Sequence, residues 1–345
     1  MKNLEDGSMV GRKSALLVAS VLAFSIFSGC SNSEKVTVTS STKEEKIVKI
    51  GISQLMEHPA LDASRKGFID GLKEAGFEEG KNIKIDFQNA QGDQPTTQTI
   101  AQKFVNDKVD MILAIATPPA QAAFNATKDI PILITAVADP VKAGVAKSLE
   151  SSETNVTGTT NSTPITNRLD LIKKLVPNAK RVGVLYSTSE INAQVQVDAA
   201  TKAAPDFGFE IVTAGVTNAN EIPQAMNSLV GKIDALFVPT DNLVVSSMPI
   251  ISDICLKKRI PIIGSDKGIS DKGALAITGV DYYKLGKQTA EIAVEIINGK
   301  KPQDIEIGIS KDLQLVVNTD VAKKLNITIP KEIDEKAEKV TGGVR

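Results

Sequence analysis

Apolar and polar positions along this chain follow one pattern, written twice. Ile47-Val48-Lys49-Ile50-Gly51-Ile52 is a short apolar run of strand length, and Leu61, Phe68, Ile69 and Leu72 after it recur at one-face helical spacing. Gly76-Phe77 closes that helix, and the stretch from Ile83 to Phe87 alternates like a strand. The second copy starts at Arg181-Val182-Gly183-Val184-Leu185-Tyr186, continues through a helical stretch from Ala193 to Ala204, and reaches Gly208-Phe209 and the strand Glu210-Ile211-Val212. Gly51 to Gly76 is 25 residues, and Gly183 to Gly208 is 25 again. The match extends further. Val109 to Ala114 leads into Thr117-Pro118-Pro119, a helix and Ile130 to Ile134; Ile233 to Val238 leads into Pro239-Thr240-Asp241-Asn242, a helix and Ile260 to Ile263. Continuous apolar strands alternating with amphipathic helices predict parallel sheets covered on both faces. Two such units in tandem predict an α/β protein of two doubly wound parallel-sheet lobes, with a ligand cleft between them.

The first thirty residues break the pattern. Arg12 and Lys13 precede an uncharged run, Ser14 to Gly29, that stops at Phe27-Ser28-Gly29-Cys30. A basic start, a short apolar core and small residues before a cut site describe an export signal over residues 1–29. The core is marginal for a membrane span, which needs about 20 apolar residues. A Cys directly after Ser-Gly resembles the lipobox of bacterial lipoproteins, whose thiol receives a diacylglycerol and becomes the new N-terminus. Phe27 stands where that motif prefers Leu. Glu5 and Asp6 are unusual in a signal start, so either Met1 or Met9 serves as initiator. Residues 30–46, polar and without apolar periodicity, read as a flexible tether.

Charge and residue counts narrow the function. The chain has 40 Lys and Arg against 41 Asp and Glu; the leader holds three and two of these, which leaves 37 against 39. Nucleic-acid binding asks for a basic footprint, and this balance offers none. With Cys30 assigned to lipid, Cys255 has no partner and reads as a small buried thiol on an amphipathic helix. His58 is the single histidine. No metal-ligand spacing, phosphate-binding loop or Gly-x-Ser-x-Gly elbow occurs, so neither a cofactor, a metal nor an enzyme activity is expected.

Several segments, in order, resemble the ABC-transporter substrate-binding family that includes the tryptophan-binding protein TrpX, with the type I periplasmic-binding-protein fold. They are Ile50 to Gln54 with Glu57 to Asp62, Ala116-Thr117-Pro118 with Ala120-Gln121-Ala122, Asp139-Pro140-Val141, Asn155 to Thr159, Val238 to Asn242, and Gly279 to Tyr283. Tyr186 to Ala193 departs from the family pattern. The resemblance runs from about Ile47 to Pro330. It implies a monomeric, lipid-anchored, extracytoplasmic receptor that hands an amino acid, such as tryptophan or phenylalanine, to ABC permease subunits. A lipoprotein feeding a membrane sensor fits the same residues. The first lobe is expected over 47–162 with a return segment near 281–300, and the second over 163–280; the lobe of segment 301–345 stays open.

In open parallel sheets, ligands bind beyond the carboxyl ends of the strands. Those loops supply the candidate contacts: Gln54, Glu57, Thr117 and Asp139 from the first lobe, and Tyr186, Glu190, Asn192, Asp241, Asn242 and Ser265 from the second. Thr117 before two prolines predicts a helix cap, and free N–H groups at such helix starts suit a carboxylate. Asp241 suits an ammonium, and Tyr186, at a strand end, is the candidate ring for an aromatic ligand.

Overall fold

The structure, a computed structural model, describes residues 47–310 and 313–344. The expected leader, the lipidated Cys30 and the tether lie outside the described residues. In the first lobe β1 (Val48–Gln54), α1 (Pro59–Glu74), β2 (Ile83–Asn89), α2 (Gln94–Asn106), β3 (Met111–Ile115), α3 (Thr117–Ala126), β4 (Ile132–Val137) and β5 (Val156–Thr160) alternate. The second lobe repeats the plan with α4 (Thr166–Leu175), β6 (Arg181–Ser187), α5 (Ile191–Ala203), β7 (Glu210–Val216), α6 (Ile222–Leu229), β8 (Ala235–Val238), α7 (Asn242–Ser246), α8 (Met248–Lys257), β9 (Ile262–Gly264) and β10 (Ala276–Val280). The chain then returns through α9 (Tyr282–Ile297) and β11 (Gly308–Ile309), which joins the first sheet. It ends in the second with β12 (Leu313–Asn318), α10 (Thr319–Leu325), α11 (Lys331–Asp334) and β13 (Glu338–Val340).

The first sheet runs β2-β1-β3-β4-β5-β11 and the second β7-β6-β8-β9-β10-β12-β13. All pairings are parallel except β10 with β12. Strand order reverses beside β1 in one sheet and beside β6 in the other, and at such a switch point the neighbouring loops part to leave a crevice. Each sheet is apolar on both faces, as its continuous hydrophobic strands require. Phe68 and Leu113 belong to one packed layer of the first lobe and Phe104 and Ile134 to another.

The glycines that mark the two copies have matching causes. A β-carbon at Gly51 would stand 2.7 Å from the Phe104 ring, and one at Gly183 would stand 2.5 Å from Ile233, so a large side chain lies directly on each strand. Gly76 (φ 89°) and Gly208 (φ 74°) end their helical segments in the left-handed conformation that a side chain disfavours.

Candidate functional site

Loops beyond the carboxyl ends of the two sheets meet. His58 Nε2 lies 3.1 Å from Asn242 Oδ1, and Gln94 Nε2 donates to the Ser189 carbonyl at 2.8 Å. Pro59 approaches Gly268 so closely that a β-carbon there would be 2.6 Å from the proline ring. The lobes are therefore closed on each other. Between them is a cavity of about 20 Å³, bordered by Leu61, Ala136 and Val245 and by His58, Asn161, Asn192, Asp241, Asn242, Asp266 and Tyr282. That volume admits about one water.

Its lining is chemically unsatisfied. His58 Nδ1, Asn161 Oδ1 and Asn192 Oδ1 are buried without a hydrogen-bond partner, as are Gln54 Oε1 and Thr117 Oγ1 at the ends of β1 and β3. Each such atom costs about 1–3 kcal/mol. Two of the amide orientations are fixed by their surroundings. Gln54 Nε2 donates to the Met56 carbonyl and Asp62 Oδ1, both at 2.8 Å, and Asn192 Nδ2 donates to Glu190 Oε2 and the Thr240 carbonyl, both at 2.9 Å. Their carbonyl oxygens are left free to accept. Backbone strain gathers here too. Ala116 (φ 89°) and Ala136 (φ 57°) adopt positive φ where β3 and β4 end, and β4 slips register between Ile134 and Val137. Strain of this kind clusters at ligand clamps.

The second lobe brings three buried carboxylates to the crevice. Glu190 accepts from the side-chain amides of Asn192 and Asn242 and from the backbone N–H groups of Asn242 and Leu243. Asp241 caps α7 by accepting from Val244 N at 2.9 Å, and its other oxygen accepts from Ser187 N. Burial, and then the Glu190 charge, push Asp241 well above the usual carboxylate range. Burial also raises Asp266, which caps the following turn through Gly268 N; His58 opposes that rise.

The crossings between lobes lie behind the cavity. Asn161 Nδ2, on the first, donates to Tyr282 Oη, at the second, at 2.9 Å. Asp281 caps α9 and accepts from Gln314 Nε2 at 2.9 Å, tying the second crossing to β12. Arg168 is buried to 3% exposure, and its bonds go to the carbonyls of Thr163 and Pro164 and the Thr163 hydroxyl rather than to a carboxylate. Burial lowers its pKa to about 10.

A family model described as ABC transporter substrate binding protein matches residues 49–341. The chain belongs to this family. A tyrosine-binding protein of Clostridioides difficile is 50% identical over 316 residues, which is 91% of this chain and 92% of the relative. Among solved structures, a Streptococcus ABC domain in complex with L-Trp superposes with a TM-score of 0.83 at 36% identity. The ligand-free, open structure of a Clostridium difficile substrate-binding protein with adhesive properties gives 0.67 at 53% identity. Each covers 86% of this chain and is itself covered completely. As a substrate-binding protein the chain is a receptor and not an enzyme, and both lobes have the type I periplasmic-binding-protein architecture.

Within this substrate-binding protein, Asn192, Asp241 and Asn242 border the cavity, and Glu190 lies buried beneath them, holding both asparagines. Gln54 and Thr117 are buried at the strand ends, although Ala116 rather than Thr117 is the helix cap. Ser265 is buried, and its hydroxyl donates to the Val238 carbonyl at 3.4 Å. Asp139 is half-buried and caps a turn through Lys142 N. Glu57 is exposed. The Tyr186 ring lies beside Gly215 of β7 and packs on the second-lobe core, away from the cavity; Tyr282 is the tyrosine that borders it.

The anion sites expected at helix starts differ as well. Asp241 and Glu190 occupy the first N–H groups of α7, and α3 opens with Pro118 and Pro119, which have none to give. His58, Asn161, Thr240, Asp266 and Tyr282 are the polar residues that border the cavity outside the predicted set. His58, Thr240 and Asp266 stood in loops that sequence order had marked, whereas Asn161 and Tyr282 enter through the crossings.

Proposed function

We propose that this protein is the extracytoplasmic binding component of an ABC importer and that it closes its lobes around an aromatic amino acid, tyrosine foremost. The observation that carries the reading is the unsatisfied interlobe cavity. Buried polar atoms with fixed orientation line it, and a ligand that supplied their partners would recover several kcal/mol. The order of structural similarity supports closure as the working motion. Identity alone would favour the relative at 53%, yet the L-Trp complex at 36% superposes better than that ligand-free, open form. Leu61, Ala136 and Val245 offer an apolar wall, and Tyr282 an aromatic one. A cavity of about 20 Å³ holds no amino acid, so binding requires the lobes to part and widen it, and the ligand then favours a form closed around it by its contacts to both. The expected export signal over residues 1–29, followed by Cys30, supports export and lipid anchoring beside a permease.

Isothermal titration against the twenty amino acids tests the reading. Heat is expected with tyrosine and, more weakly, with tryptophan or phenylalanine. Silence from all twenty removes it.

A further inference from the structure

We propose that the α-ammonium of the ligand is held between Asp266 on the second lobe and His58 on the first, and that this bridge links amine recognition to lobe closure. The inference rests on the amino-acid reading above and adds to it which residues read the amine.

The three buried carboxylates of the second lobe are not equivalent. Glu190 Oε1 accepts from Leu243 N, while Oε2 accepts from Asn192 Nδ2, Asn242 Nδ2 and Asn242 N. Asp241 uses one oxygen on Val244 N and the other on Ser187 N. In both groups each oxygen is engaged by a protein donor. Asp266 differs. Its Oδ1 accepts from Gly268 N at 2.7 Å, whereas Oδ2 faces His58 Nδ1, 3.9 Å away and beyond hydrogen-bond reach. Asp266 is 2% exposed and borders the cavity.

The hydrogen on His58 can be located by following the amides. Asn242 Nδ2 donates to Glu190 at 2.6 Å, which fixes the asparagine with Oδ1 toward His58. An acceptor at that position requires His58 Nε2 to carry the hydrogen. In the neutral ring Nδ1 is then a bare lone pair, and it is buried without a partner. With the ring neutral, an imidazole lone pair and a carboxylate oxygen face each other across 3.9 Å.

A group that satisfies both acceptors brings at least two hydrogens, and a positive charge on it compensates the buried carboxylate. A hydroxyl brings one hydrogen and no charge, and a carboxylate brings neither; a primary ammonium brings three hydrogens and the charge that a buried Asp266 requires. Because the two acceptors sit on opposite lobes, an ammonium satisfies both only when the lobes are shut. Its binding energy is therefore differential between open and closed forms, which is the condition for a ligand to drive closure.

A ligand–variant cycle tests this. Affinities of wild type and Asp266→Asn are measured by titration for tyrosine and for 3-(4-hydroxyphenyl)propanoate, which lacks the amine; the weaker ligand is read by competition. Asparagine retains an oxygen for Gly268 N, so the turn keeps its cap. The substitution is expected to weaken tyrosine by 10-fold or more and to change the des-amino ligand by less than 3-fold. His58→Gln, which keeps a donor for Asn242, is expected to give the same selectivity and serves if Asp266→Asn does not fold. Equal losses for the two ligands in the folded variants would overturn the ammonium bridge while leaving amino-acid binding intact. Absence of tyrosine binding to the wild type would overturn both.

Discussion

Glu190 organises the second-lobe side of the site without being spent on a ligand. One carboxylate receives two side-chain amides and two backbone N–H groups, so it sets the orientation of Asn192 and Asn242 and closes the start of α7. Its cost falls on Asp241, whose carboxyl the Glu190 charge helps push well above the usual carboxylate range. Hydrogen bonds to a charged group contribute about 1.5–3 kcal/mol each, and Glu190 accepts four of them. Glu190→Gln replaces an acceptor oxygen with an amide that points hydrogens at hydrogens. It is expected to destabilise the fold by about 1–3 kcal/mol in denaturant titration and to weaken tyrosine at least 10-fold. Unchanged affinity would mean that the two asparagines hold their orientation without it. At the same scale Cys255 is inert: it is buried and its pKa is pushed up to about 12 by burial, which suits packing and not chemistry.

At the scale of elements, the packing of α9 on α1 fastens the returning chain to the first lobe. Glycines make the seam. A β-carbon on Gly67 would lie 2.0 Å from the Tyr283 carbonyl oxygen, and one on Gly286 would lie 2.0 Å from that of Ser64. Alanine in place of a helical glycine ordinarily gains up to about 1 kcal/mol. Here the clash is with backbone, which cannot rotate away, and overpacking of this kind costs about 1–3 kcal/mol or more. Gly67→Ala and Gly286→Ala are therefore both expected to lower the denaturation midpoint, against the propensity trend. A rise in either would show that the helices separate at little cost. Since α9 begins at the second crossing, where Tyr282 meets Asn161, loosening this seam also loosens the wall of the cavity.

For the whole molecule, closure is the property to measure. Among the described residues, few polar contacts, such as His58 to Asn242 and Gln94 to Ser189, join the lobes across the crevice. A closed form held by so few contacts, with unsatisfied atoms inside, has little to keep it shut without a ligand. Small-angle scattering is expected to give a larger radius of gyration for the ligand-free protein than for the protein saturated with tyrosine. Identical curves would argue against hinge closure as the binding motion.

The amino-acid sequence by itself determined the two α/β frames, because strand runs, helix faces and the left-handed glycines at 76 and 208 are local properties with fixed periods. It also marked the loops at the strand ends, since a parallel sheet places them together whatever their residues. Tertiary structure alone decided which polar groups in those loops remain free. Asp241 and Asp266 look alike as acids opening a helical segment, yet Ser187, 54 positions away, takes up the second oxygen of Asp241 while Oδ2 of Asp266 faces an imidazole 3.9 Å away. Tyr186 and Tyr282 differ in the same way. The physical reason is that a buried polar atom is satisfied or orphaned by donors from distant elements, as the 184-residue separation of His58 and Asn242 illustrates, and no local pattern records that supply.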